Sequence, residues 1–98
     1  MSITTDVKSK LLPELVKSGF IVVSDLGEEL KVVFPETNVK TRIESICSKM
    51  KYKMDEDDET GDLLLSFCKI VKHLGDEIYT QISFNEEFQT IEIYTELV

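Results

Sequence analysis

The densest run of side chains able to do chemistry is Asp55-Glu56-Asp57-Asp58-Glu59-Thr60-Gly61-Asp62. Clustered carboxylates are what a hard cation such as calcium requires, but a calcium loop also needs glycine at its sixth position and a bidentate glutamate at its twelfth. The spacing fails that template. With Glu56 first, Gly61 falls correctly at the sixth position and Phe67 occupies the twelfth; with Asp55 first, those positions are Thr60 and Ser66. His73 is the only histidine, and Cys47 and Cys68 are the only thiols. Zinc can be drawn among them, yet structural zinc is held by closely spaced pairs, and neither Cys-x-x-Cys nor His-x-x-x-His occurs. As nucleophiles the cysteines are poorly placed, because each lies in an apolar run where desolvation disfavours the thiolate. Gly19, Gly27, Gly61 and Gly75 stand apart from one another, so there is no phosphate loop and no nucleophile elbow. The sequence predicts no enzyme, no metal and no cofactor. His73 reads as an exposed residue beside a turn, and the cysteines as small buried hydrophobes of a reducing compartment, without a disulfide framework.

Charge is the feature with most to say about partners. The 98 residues carry 11 Lys and Arg against 19 Asp and Glu, a net charge of −8. That balance disfavours direct binding of nucleic acid or an acidic lipid surface. The imbalance is confined to one half: residues 1–54 hold nine basic and seven acidic side chains, residues 55–98 two basic and twelve acidic. Two readings stand side by side. The acids occupy turns and a solvated sheet face, or they form a negative surface that attracts a basic partner over long range. In the second reading the contacts are Asp55, Asp57, Asp58, Glu59, Asp76, Glu77, Glu86, Glu87 and Glu92. Lys31, Lys40, Arg42 and the lysines of 49–53 could line a basic stripe around Tyr52; as a solvated face, or a counter-charge to the adjacent acidic turn, they need no ligand.

The elements that must position these groups follow from hydrophobic period. Val7, Leu11, Leu12, Leu15 and Val16 mark a helix closed by Gly19, with Pro13 predicting a kink or a start nearer Ser9. Phe20–Ser24 and Leu30–Phe34 form a hairpin that is apolar at odd and even positions alike, so both of its faces should be covered. Thr37 or Asn38 caps a second helix with Val39, Ile43, Ile46, Cys47 and Met50 on one face. From Lys49 to Met54 the pattern alternates, which fits a strand with Met50, Tyr52 and Met54 inward, or a frayed helix end. Leu63–His73, the run from Ile78 to Phe84 and Phe88–Thr95 then read as a meander, with Ile91, Ile93 and Leu97 inward and Glu92, Tyr94 and Glu96 on the open face. The expected fold is a single α+β domain: two helices packed on an antiparallel sheet in the order α-β-β-α-β-β-β(-β). No apolar run approaches the roughly 20 residues of a membrane span, and Met1–Asp6 lacks a secretory pattern, which predicts a cytoplasmic protein.

The tail Phe88-Gln89-Thr90-Ile91-Glu92-Ile93-Tyr94-Thr95-Glu96-Leu97-Val98, preceded by Asn85-Glu86-Glu87, resembles the end of small acidic phage-encoded anti-CRISPR proteins of the Cas9-inhibitor type. The likeness lies in Gln89-Thr90-Ile91, in Glu96-Leu97 and in the acids just ahead, and covers eleven residues. It implies a protein whose carboxylates occupy the site where a nuclease grips DNA, with Glu86, Glu87, Glu92 and Glu96 in contact. It also implies a helical tail, against the alternation that predicts a strand. The expectation is therefore a small acidic binding protein that inhibits or neutralises a basic, nucleic-acid-handling partner, as DNA mimics and phage anti-defence proteins do. Alternatives are a toxin-immunity protein, or a self-associating scaffold module whose homodimer would use the hairpin or a sheet edge.

Overall fold

Val7, Leu11 and Leu15 repeat at the interval of one helical face, and all three are buried along α1 (Ile3–Lys17). The computed structural model describes residues 3–54 and 64–98. α1 begins well before Ser9 and continues through Pro13, which removes one backbone donor from the ladder but leaves the apolar face in line. Val16, expected on that face, is exposed.

Both helices end in the same way. At the end of α1, Phe20 N–H reaches the Leu15 carbonyl (3.0 Å) and Gly19 N–H the Val16 carbonyl (3.2 Å). This is a Schellman motif with Gly19 at its left-handed position, φ 87°. It turns Phe20 back into the core, edge to face with Phe34. At the end of α2 (Val39–Lys49), Tyr52 N–H reaches the Cys47 carbonyl (2.8 Å) and Lys51 N–H the Ser48 carbonyl (3.0 Å). Here Lys51 holds the left-handed position, φ 64°. That motif explains why the alternation at 49–54 does not make a long strand. Its hydrogen bonds satisfy the helix carbonyls and bury Tyr52, leaving only β3 (Lys53–Met54) extended and Met54 exposed.

β1 (Ile21–Asp25) and β2 (Glu29–Val33) form the first hairpin, its turn held by Asp25 Oδ1 accepting from Gly27 N–H. β4 (Leu64–His73), β5 (Asp76–Asn85) and β6 (Thr90–Leu97) make the meander. The six strands lie in the order β1-β2-β6-β5-β4-β3, each pair antiparallel. Two helices on a six-stranded antiparallel sheet is the α+β arrangement expected, and the tail is strand β6, not the helix that the family resemblance implied. Because β2 lies near one edge and β3 at the other, the connection carrying α2 must cross the sheet.

The register sorts each strand by parity. Leu30, Val32, Ile91, Ile93, Ile82, Phe84 and Phe67 are buried beneath the helices, in one core cluster with Ile43, Ile46 and Cys47. Among the described residues the opposite face carries no helix. The expectation that the first hairpin is covered on both sides is therefore wrong: Ile21 is 62% exposed, Val23 63% and Val33 43%. Its apolar residues at the outward positions reflect β-branched strand preference, not burial. Leu97 is exposed as well, at the last position of β6, although it pairs with Ile78.

Tyr52 enters the core with its hydroxyl satisfied. It lies 2.7 Å from Thr80 Oγ1, which in turn donates to the Lys69 carbonyl at 2.8 Å. Tyr52→Phe should cost about 1 kcal/mol, since it leaves the buried Thr80 hydroxyl one partner short. Lys51→Gly should stabilise by a similar amount, about 1 kcal/mol, by relieving the left-handed backbone. Urea denaturation of the two variants checks both signs.

Candidate functional site

In a strand, residues two apart share a face, so Glu92, Tyr94 and Glu96 all project from β6 to the uncovered side, and all three are exposed. Pairing with β5 sets Tyr79 opposite Glu96, Gln81 opposite Tyr94 and Ser83 opposite Glu92. On the other flank of β6, Glu29 of β2 stands opposite Glu92. Like charges directly opposed across a ladder destabilise it, by roughly 0.2–1 kcal/mol. The nearest cation in the register is Lys31, paired with Thr90 and so diagonal to Glu92.

The centre of this face is aromatic. Tyr79 and Tyr94 meet edge to face with ring centroids 6.4 Å apart. Tyr94 donates its hydroxyl to Glu96 Oε2 at 3.0 Å, and that bond, with the carboxylate charge behind it, raises the tyrosine's pKa above its ordinary value. The hydrogen bond holds Glu96 beside the ring while the second carboxylate oxygen remains to accept. Ile70, paired with Tyr79, adds an exposed apolar contact. A flat surface with a tyrosine pair bordered by carboxylates is chemically suited to arginine and lysine side chains, whose stems lie on rings while their heads meet carboxylates.

The remaining acids are placed differently. Asp76 and Glu77 lie where β5 begins, Glu86 and Glu87 in the turn after it ends, and all four are exposed. A strand of ten residues spans about 30 Å, so these two pairs stand at opposite ends of the sheet. Glu92 sits between them, on the open face. Asp55, Asp57, Asp58 and Glu59 lie outside the described residues. Glu29, Tyr79 and Tyr94 were not among the contacts expected from sequence. Alternation placed Tyr94 outward, but only the register brings Tyr79 and Glu29 to it.

The basic stripe does not form as a unit. Lys31 lies on the open face, whereas Arg42 is spent on the backbone, donating to the Ser18 carbonyl at 2.7 Å and the Thr37 carbonyl at 3.0 Å. Lys49 pairs with Glu14 at 3.4 Å. His73, expected to be exposed, is half-buried, with Nδ1 4.0 Å from Asp6 Oδ2 of α1. Cys47 is buried under α2, and Cys68, expected to be buried, is half-buried on the open side opposite Gln81; both are free. Among the described residues no group of three or more His, Cys, Asp or Glu is arranged to hold a metal ion. No described helix is long and apolar enough to cross a membrane. Comparison with family models, with curated proteins and with solved structures returned no match.

Burial pushes the Cys47 thiol from 9.0 up to about 12. The unfolded chain releases this proton first, so the stability held by the neutral thiol is complete below pH 9.0 and is lost as pH rises towards 12. Cys47→Val should flatten that alkaline loss in thermal melts. In the native protein a thiol reagent should modify Cys68 first and Cys47 only on unfolding. Asp25 behaves in the opposite sense: the 2.8 Å hydrogen bond from Lys8, aided by Gly27 N–H, lowers its pKa below 3.8. Its contribution is present above that value and lost as pH falls through the lower native one, so Asp25→Asn should reduce the acid sensitivity of the melt.

Proposed function

We propose that this chain is a small binding protein that inhibits or neutralises a basic, nucleic-acid-handling protein by engaging it on the open face of the sheet. The observation that carries the reading is the uncompensated state of its acids. Among the described residues the ion pairs use Asp6, Glu14 and Asp25, all from the first half of the chain. Asp76, Glu86, Glu87, Glu92 and Glu96 make no such pair with a described cation; Glu77 stands opposite Lys72 across the β4–β5 ladder, whereas Glu29 and Glu92 are set against each other. A partner bearing arginines and lysines relieves that repulsion, and long-range attraction speeds its arrival.

The tyrosine pair supplies what charge alone does not, a rigid apolar anchor at the middle of the contact. An interface of ordinary size needs about 800 Å² from each partner, which one face of a small sheet can provide. The resemblance of the tail to anti-CRISPR proteins points to Glu86, Glu87, Glu92 and Glu96. Glu92 and Glu96 share the open face, and Glu86 and Glu87 lie in the turn that leads into β6. A DNA mimic of phage anti-defence type, acting in a host cytoplasm where free cysteines persist, fits this description. Nucleic acid itself is not the ligand, since the open face repels it.

A second reading is favoured by one observation, the exposed Ile21, Val23 and Val33 on edge strand β1 and its neighbour β2. An open apolar edge is a template for pairing with another copy of the chain. Sedimentation distinguishes the two readings, because a dimer held by that edge persists at high salt.

The test is affinity capture at about 0.05 M and about 0.5 M salt, comparing the parent chain with a Glu92→Lys/Glu96→Lys variant. The parent should retain a basic protein at low salt and release most of it at high salt, and the captured protein should lose nucleic-acid binding when the chain is added. The charge-reversed variant should capture little at either salt. Equal retention by the two chains removes the open face from the interface.

A further inference from the structure

The helix side of the molecule has the opposite electrical character. Between the N-terminal half of α1, the end of α2 and strand β4 lies a groove of about 670 Å³. Lys10, Lys49, Lys51 and Lys69 line it, four of the chain's 11 basic side chains, against two carboxylates, Asp6 and Glu14; Lys72 borders it from a strand position on the open-face parity, opposite Glu77. Both carboxylates already face cationic or titratable partners: Asp6 faces His73 at 4.0 Å, and Glu14 meets Lys49 at 3.4 Å and Lys17 at 3.8 Å. Lys10 and Lys51 make no ion pair with a described residue. Lys69 is held in place, donating to the Met50 carbonyl at 3.2 Å with its ammonium 5.7 Å from the Tyr52 ring centroid.

In a chain of net charge −8, such a concentration of ammonium groups runs against the average composition. Like charges crowded into a concave site raise the local potential, and an anion lowers it. We infer that this groove binds a small phosphorylated molecule of nucleotide size. Three observations set that class. Ammonium groups are compact point charges suited to phosphate oxygens. The volume lies within the 300–1,000 Å³ or so typical of small-molecule sites. Ile3, Pro13, Met50 and Val71 supply apolar wall for a ligand body beside the charges. A long polyanion is disfavoured, because the rest of the surface is acidic and repels whatever extends beyond the groove. The site is on the opposite layer from the open face and does not depend on the function proposed for it.

The experiment is an amide-resolved NMR titration of the full chain with ATP, with inorganic pyrophosphate, with citrate and with a polyglutamate peptide. ATP and pyrophosphate should shift the amides of Ser9, Lys10, Lys51 and Val71 saturably, with Kd on the order of 1 mM or below. Lys10→Gln/Lys51→Gln, which leaves the Lys69 hydrogen bond intact, should weaken ATP binding by roughly tenfold or more. Lys31→Gln, on the open face, should leave it unchanged. Absence of saturable shifts with either phosphate compound overturns the inference, as does equal affinity in the groove variant. Tighter binding of citrate or of the peptide than of ATP assigns the groove to carboxylates and overturns it too.

Discussion

Among the described residues the helices cover only one face of the sheet, and the rest of the molecule follows from that constraint. Six strands at about 4.8 Å spacing place the edge strands about 24 Å apart. Two helices, each about 10 Å across with side chains, cover about 20 Å at most. The strands send one parity of side chain into the core beneath the helices; on the other parity Glu92, Tyr94 and Glu96 are exposed, whereas Ser66 is buried and bonded to Ser83 at 3.1 Å. The helix layer must also fall short somewhere. It does so over β4, where the groove opens between α1 and the end of α2.

The helix ends then decide how the layers connect. Both terminate in the same six-residue hydrogen-bonding pattern, and in both the residue after the left-handed position is an aromatic that returns to the core, Phe20 in one case and Tyr52 in the other. Tyr52 brings a polar atom with it, and Thr80 receives that hydroxyl within the core layer. Thr80 is fully buried and is bonded again to the Lys69 carbonyl, so one chain of hydrogen bonds ties the end of α2 to β5 and β4. Lys69, on the same strand, extends from this anchor into the groove. The packing of the core and the placement of a groove cation are thus the same structural event.

Charge is distributed by layer more than by position along the chain. The twelve acids of residues 55–98 suggest a single negative body, yet β5 holds two of its acidic pairs at opposite ends of the sheet. What is coherent is smaller: Glu29, Glu92 and Glu96 around Tyr94 on the open face, with Lys10, Lys49, Lys51 and Lys69 gathered at the groove and Lys31 and Lys72 left on the open-face parity. The arrangement gives a molecule of net negative charge two surfaces of contrary preference. Each meets water from its own side of a dry core, so neither neutralises the other.

Hydrophobic period was enough to read both helices, the meander and the inward sets such as Ile91 with Ile93 and Ile43 with Ile46, because a 3.6-residue or a two-residue repeat is a local property of the chain. It was also enough to turn Glu92, Tyr94 and Glu96 outward. It misread Val23 and Val33, since a β-branched residue looks alike whether a helix covers it or water does. It left Lys49–Met54 open between strand and helix end, and there backbone bonds at the helix end outweighed side-chain alternation. Which residues stand across from one another belongs to the tertiary structure alone. Tyr79 beside Tyr94, Glu29 opposite Glu92 and four lysines around one groove all join residues distant in sequence, and their separations are set by strand register and helix packing, which no local pattern encodes.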